Sequence, residues 1–180
     1  MAGGILATLG TNAPLQTATL SKKEDLIVGD HVIFFNHITY DPLIAKVGGV
    51  WRLENAIVID KVQGKFRFQG HGYPAPVTED ALLDGMIRQY NLHVDQALGI
   101  VKRIDYGKGV AKAAAEGELS AKYPNVERKL GGGWQIKGKS NLCPWIEAIR
   151  DLKHLTRAEA PGLVNPCNGA IEVRRPAEKR

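Results

Sequence analysis

The sequence predicts an α+β fold, a small antiparallel sheet flanked by helices, and three observations carry that prediction. Between Glu54 and Ile59 the residues alternate, with Ile57 and Ile59 facing one way and Glu54, Ala56 and Val58 the other, the period of a half-buried strand. A tight-turn signal, Gln63-Gly64 in VQGK, follows at once and joins that strand to a second apolar run as a hairpin. After Thr78 the period changes to that of a helix, with Ala81, Leu82, Met86 and Tyr90 on one side.

Taken in order, Met1 to Thr19 is rich in small residues and weakly patterned, so residues 1–24 read as a linker or the cut edge of a longer polypeptide, and 25–180 as one domain. Val28 to Phe35 gives a first strand and Trp51 to Asp60 a second, joined by a loop over His37 to Gly49 that carries Gly, Pro and Asp. Lys65 to His71 is the third strand. Tyr73-Pro-Ala-Pro then breaks the chain, and Thr78 caps a helix whose first turn holds Glu79 and Asp80, favourably placed at the positive end of its dipole. His93 to Asp105 fits either a helix or a strand. Tyr106 to Gly133, bearing glycine and lysine, reads as a mobile region with a short helix around Val110 to Glu116. Trp134 to Lys137 predicts a strand, Pro144 to Thr156 a helix, and Ala170 to Arg174 a final edge strand. No internal repeat appears.

A chain of 180 residues is long enough to bury a full core. With 44% hydrophobic and 24% charged residues the composition is that of a globular protein, and no apolar run approaches the ~20 residues of a membrane span. The first residues lack the basic start of a signal peptide. These features point to a soluble protein of unassigned compartment. The net charge of +5 is spread among interleaved acids, apart from a cluster at Arg174, Arg175, Lys179 and Arg180, which argues against nucleic acid as the partner. No spacing suggests a metal site, and no cofactor is implied.

The residues that can carry chemistry sit on the hairpin. Counting back from Val62 opposite Lys65 sets Ala56 opposite His71, so that Glu54 and His71 lie diagonally on one face, roughly 5–8 Å apart at Cα. A slip of one residue would separate them. Of the two cysteines, Cys143 directly precedes Pro144, the residue favoured at the first helical position, so Cys143 is expected to cap the 144–156 helix. There the dipole and free amides would lower the thiol pKa and raise its nucleophilicity. The bland alternative is a small buried residue. Cys167, in NPCNG, reads as a turn residue or as a disulfide partner to Cys143. His31, His37, His93 and His154 lack an evident constellation, and the glycines of Gly131 to Trp134 lack the lysine and hydroxyl of a phosphate loop.

The stretch from Gly29 to Gly72, with GDHVIFFN, a YDP loop, WRLENAIVI and FRFQGHG, resembles the catalytic core of the bacterial spore-coat protein-glutamine gamma-glutamyltransferases. The resemblance covers some 45 residues and implies a papain-like or transglutaminase-like architecture. It also implies a reaction: a cysteine thiolate attacks a glutamine carboxamide, ammonia leaves, and an amine or water resolves the thioester. Glu54 is carried over as the catalytic carboxylate and His71 as its polar partner, with Asn55 and Trp51 in support. The cysteine is not carried over, because the family's nucleophile precedes the glutamate and residues 1–53 contain none, so that the nucleophile is lost, lies upstream of this stretch, or is supplied from the other end of the chain. Placing the thiol on Cys143 instead resembles the circularly permuted branch of the papain-like superfamily, including the lecithin retinol acyltransferase group.

The expectation is therefore acyl transfer at a protein glutamine, as a transglutaminase or deamidase, with Cys143, His71 and Glu54 as the catalytic set. Its partners would be a glutamine donor protein, an amine or water acceptor and, if the domain belongs to a delivered bacterial toxin or effector, a cognate inhibitor. The alternatives are a cysteine amidase or peptidase acting on peptide or peptidoglycan, and a catalytically incomplete binding domain.

Overall fold

A computed structural model describes residues 15–177 and gives an α+β architecture of two antiparallel sheets and three helices. The elements are β1 (Leu15–Leu20), β2 (His31–Phe35), α1 (Tyr40–Ile44), β3 (Leu53–Val62), β4 (Lys65–Gly70), β5 (Val77–Thr78), α2 (Glu79–Tyr106), α3 (Gly109–Lys122), β6 (Val126–Arg128), β7 (Trp134–Lys139), β8 (Glu147–Asp151) and β9 (Ile171–Pro176). The larger sheet runs β1-β9-β2-β3-β4-β5 and the smaller β6-β7-β8. No helix among the described residues is long and apolar enough to cross a membrane.

Two cores follow from this layout. One lies between the larger sheet and the first turns of α2, where Val32, Phe34, Ala56, Val58 and Phe68 meet Leu82, Leu83 and Met86. The other gathers Tyr40 and Leu43 of α1, Tyr90 to Ile104 of α2, Leu119 of α3 and Ile136 of the smaller sheet. Trp51 packs against both.

The hairpin tip follows its turn chemistry. Gln63 and Gly64 both have positive φ, 49° and 77°, as a two-residue turn of the right twist requires, and Val62 pairs with Lys65. Further along, a bulge between Val58 and Asp60 inserts one residue into β3, so Ala56 pairs with Gly70 and not with His71. The helix starting at Thr78 forms as expected, the threonine hydroxyl accepting from the Ala81 amide at 3.3 Å. It continues unbroken through His93 to Asp105.

Five segments differ from expectation. The 37–49 stretch, expected as a loop, contains α1, and β9, expected as an edge strand, lies inside the sheet between β1 and β2. Leu15 to Leu20, read within a linker, is a strand paired along its length with β9, while residues 1–14 lie outside the described region. The 106–133 stretch holds α3, twice the expected helix, its alanines giving strong propensity and Ala115 and Leu119 its buried anchors. The helix expected over 144–156 does not form. There β8 buries Ala148 and Arg150, a period of two, while Trp145 and Ile149 are 69% and 56% exposed. Arg150 fixes that choice from inside the fold, donating to the carbonyls of Lys153 and His154 and to both oxygens of Glu159.

Candidate functional site

Glu54 sits opposite Phe34 on the face of β3 that turns toward α2, in line with buried Ala56 and Val58. A carboxylate on such a face needs space and partners. Space comes from Gly70, where a Cβ would stand 2.7 Å from Glu54 Oε1. Partners are scarce, and Oε1 is buried with no hydrogen-bond donor. Burial accordingly pushes the Glu54 carboxyl above its usual range, opposed by the His71 backbone amide and the nearby imidazole charge. The bulge is the one-residue slip that separates the expected pair: Gly70 holds the position on Glu54's face, and His71 follows it, exposed just past β4, acting on the carboxyl through its backbone amide and the charge of its ring.

Aromatic groups close the site on the helix side. Trp51 and Tyr73 pack edge to face with ring centroids 6.3 Å apart. Both lie against Gly85, where a Cβ would come 2.6 Å from the Tyr73 hydroxyl and 3.5 Å from Trp51 Cζ3. Asn36 ties the layers together, donating through Nδ2 to the Trp51 carbonyl at 2.9 Å and the Met86 carbonyl at 3.2 Å. Burial raises the Tyr73 phenol pKa, the Glu54 charge raises it further, and Arg88 works against both. Sequence reasoning treated Tyr73 as part of a breaker. Its only signal was an aromatic two residues beyond His71, with a glycine inside an otherwise regular helix to receive it.

Two expected members are placed elsewhere. Asn55 is exposed, because neighbouring residues of a strand point to opposite faces, so it does not support the Glu54 carboxyl. Cys143 is fully buried in the turn before β8, with no helix following it, and it is disulfide-bonded to Cys167 with Cα atoms 5.5 Å apart. The dipole argument for an activated thiol therefore fails, and the sulfur is no nucleophile in this state. Cys167 occupies the expected turn, its amide donating to Asn165 Oδ1 at 2.9 Å.

A second polar cluster surrounds His37. Its Nδ1 accepts from the Thr39 amide at 3.2 Å and lies 2.8 Å from Thr39 Oγ1, which in turn is 2.6 Å from the Tyr90 hydroxyl. Burial and the Arg150 charge lower the imidazole pKa to about 4, so His37 is neutral and acts as a brace between β2 and α2. The exposed His154 contacts Asp95 at 2.7 Å.

The arrangement around Glu54 can accept a proton at a desolvated carboxylate and offers a phenol nearby, and among the described residues no hydrogen bond joins that carboxylate to the His71 ring. It holds no thiol. No protein-family model, curated protein or solved structure matches the chain.

Proposed function

We propose that this chain carries the carboxylate and imidazole half of a transglutaminase-like acyl-transfer site, in a papain-like setting, working on a thioester whose thiol comes from outside these 180 residues. The observation that carries the reading is Glu54 itself. A buried carboxylate with an unpaired oxygen costs stability, and such a cost is commonly kept where the group is used. Its neighbour His71 and the WRLEN and GHG words around the pair agree with the family resemblance.

In the proposed step a glutamine-derived thioester docks beside Trp51 and Tyr73. An incoming amine attacks the thioester carbonyl, the C–S bond breaks, and the thiolate leaves. The proton lost by the amine passes to His71 or Glu54 and from there to the departing sulfur. With water in place of the amine the product is glutamate, a deamidation.

The test supplies the thioester directly. A small γ-glutamyl thioester is mixed with a primary amine and the protein, its disulfide intact, and free thiol is followed with a chromogenic disulfide. Acceleration is expected, and Glu54→Gln and His71→Ala should each lower it by about 100-fold, the size of a general acid–base contribution. No acceleration above buffer would leave the alternative, a catalytically incomplete binding domain, which the paired cysteines favour. Activity that needs a reductant and disappears on alkylation of Cys143 would return the thiol to this chain.

A further inference from the structure

The N-terminal end of β3 borders a cleft of about 480 Å³ that the reading above does not use. Its walls are Asp41 of α1, Arg52, Asn141 and the Gly48-Gly49-Val50 stretch. The floor is built closely. A Cβ at Gly49 would stand 2.6 Å from the Tyr40 hydroxyl and 3.0 Å from Ile44 Cδ1, so the chain passes over these side chains with no room to spare.

Arg52 is the under-used group. Its backbone is fixed beside the sheet, the carbonyl accepting from the Asn36 amide at 2.9 Å. Its Nε is buried without an acceptor, and its one ionic neighbour among the described residues is Asp41 at 3.6 Å, close to the limit of an ion pair. Asp41 cannot come nearer freely, because its other oxygen is held by the Ser140 hydroxyl at 2.7 Å and the Asn141 amide at 2.8 Å. The aspartate therefore steadies the Nη1 edge of the guanidinium, and since Nε is covered, the 40% exposure of the side chain leaves its Nη end open for a carboxylate.

We propose that this cleft binds an acidic peptide segment, with the carboxylate of a glutamate or aspartate side chain on the Arg52 guanidinium. A planar guanidinium matches a carboxylate in a two-point contact. A doubly charged phosphate would place its second charge against Asp41, which disfavours it. A peptide also accounts for the other walls. The Gly49 and Val50 amides have no protein acceptor among the described residues, and the exposed Asn141 offers an amide on the facing wall. Val50, 84% exposed, offers an apolar contact for a neighbouring side chain. The proposal stands whether or not Glu54 and His71 are reactive.

A capped pentapeptide, Val-Ala-Glu-Ala-Val, and its glutamine counterpart test it by ¹H–¹⁵N NMR titration, read at Arg52 Nε–H and the Gly48 and Gly49 amides. The glutamate peptide should give saturable shifts centred on these signals, bind about tenfold tighter than the glutamine peptide, and weaken with salt. Arg52→Gln should remove the difference between the peptides, and Asn141→Ala, an exposed change that leaves Arg52 in place, should weaken both. Equal affinities for the two peptides, shifts centred away from the cleft, or no saturable shift at about millimolar peptide would overturn the proposal.

Discussion

Replacing Glu54 by glutamine should make the protein more stable, and more so as the pH rises. Glutamine keeps the shape of the protonated acid but cannot ionise. In the native protein burial raises the Glu54 pKa, so between the unfolded carboxyl pKa of 4.5 and the higher folded value the native state holds more protons than the unfolded one. Stability then falls as pH rises through that window and levels off above it, each tenfold weakening of the acid being worth about 1.4 kcal/mol. Glutamine leaves the same buried position polar and unpaired, so its advantage at pH 8 is the ionisation contribution alone, about 1.4 kcal/mol for each tenfold weakening of the Glu54 acid. With a urea m value of about 2 kcal/mol/M, each such tenfold weakening should move the midpoint up by about 0.7 M at pH 8, and by much less at pH 4.5. Activity in the thioester assay should fall at the same time. A midpoint difference that does not change with pH, or a glutamine variant less stable at pH 8, would show that the carboxylate is paired and structural, and the site reasoning would fail.

Other perturbations separate site from scaffold. Gly70→Ala should displace the Glu54 carboxylate, since the new Cβ would lie 2.7 Å from Oε1, and lower thioester turnover about 100-fold while urea denaturation shows a loss within about 1 kcal/mol; an unchanged rate would sink it. Removing the disulfide as Cys143→Ala with Cys167→Ala frees a 24-residue separation and should cost about 3–4 kcal/mol in the same measurement, a loss under about 0.5 kcal/mol being the contrary result. His37, neutral with a folded pKa of about 4 against 6.5 unfolded, should lower stability by up to about 3 kcal/mol as pH falls from 6.5 to 4, and His37→Gln should flatten that slope. Arg175→Ala leaves the fully buried Asp30 without its two-point partner and should cost about 3–5 kcal/mol; a loss near zero would mean that water reaches the carboxylate.

The parts of the fold legible in the sequence are those where one local rule acts alone. Gln63-Gly64 dictates the turn and Thr78 the helix start, and both form as read. The bulge at Val58 to Asp60 was not legible, because no residue there is one that only a bulge accepts. Over 144–156, Trp145 and Ile149 stand at helical spacing, but the residue that settles the local structure is an arginine whose carbonyl and carboxylate partners are visible only in three dimensions. β1 was hidden by its threonines and alanine, small residues that suit an edge pairing without advertising it. At the site, the common face expected for His71 was lost to the bulge, and only the buried side of Glu54 could be named from the hairpin. Tyr73 could not, since its place depends on a gap in α2, nor could the sequence choose between a free and a bridged Cys143.

The bulge makes the two strands of the hairpin unequal in what they can lose. It divides the ladder into an outer part, where Asp60 and Arg67 pair across the strands, and an inner part that sets Gly70 behind Glu54. Ile59 is the spare residue between them. Deleting it would leave Asp60 opposite Arg67 and Val58 opposite Phe68, so the ladder becomes regular and the glutamate keeps its glycine. β4 holds no such reserve. With the tip pairing and the bulge kept, deleting Arg67 would draw every later residue of β4 back by one position and bring His71 opposite Ala56. A histidine Cβ would then enter the space the carboxylate now fills. One codon lost from β4 would thus close the space that Gly70 keeps for the Glu54 carboxylate, with Glu54, His71, Trp51 and Tyr73 all still in the sequence, whereas one lost at Ile59 would leave that space open.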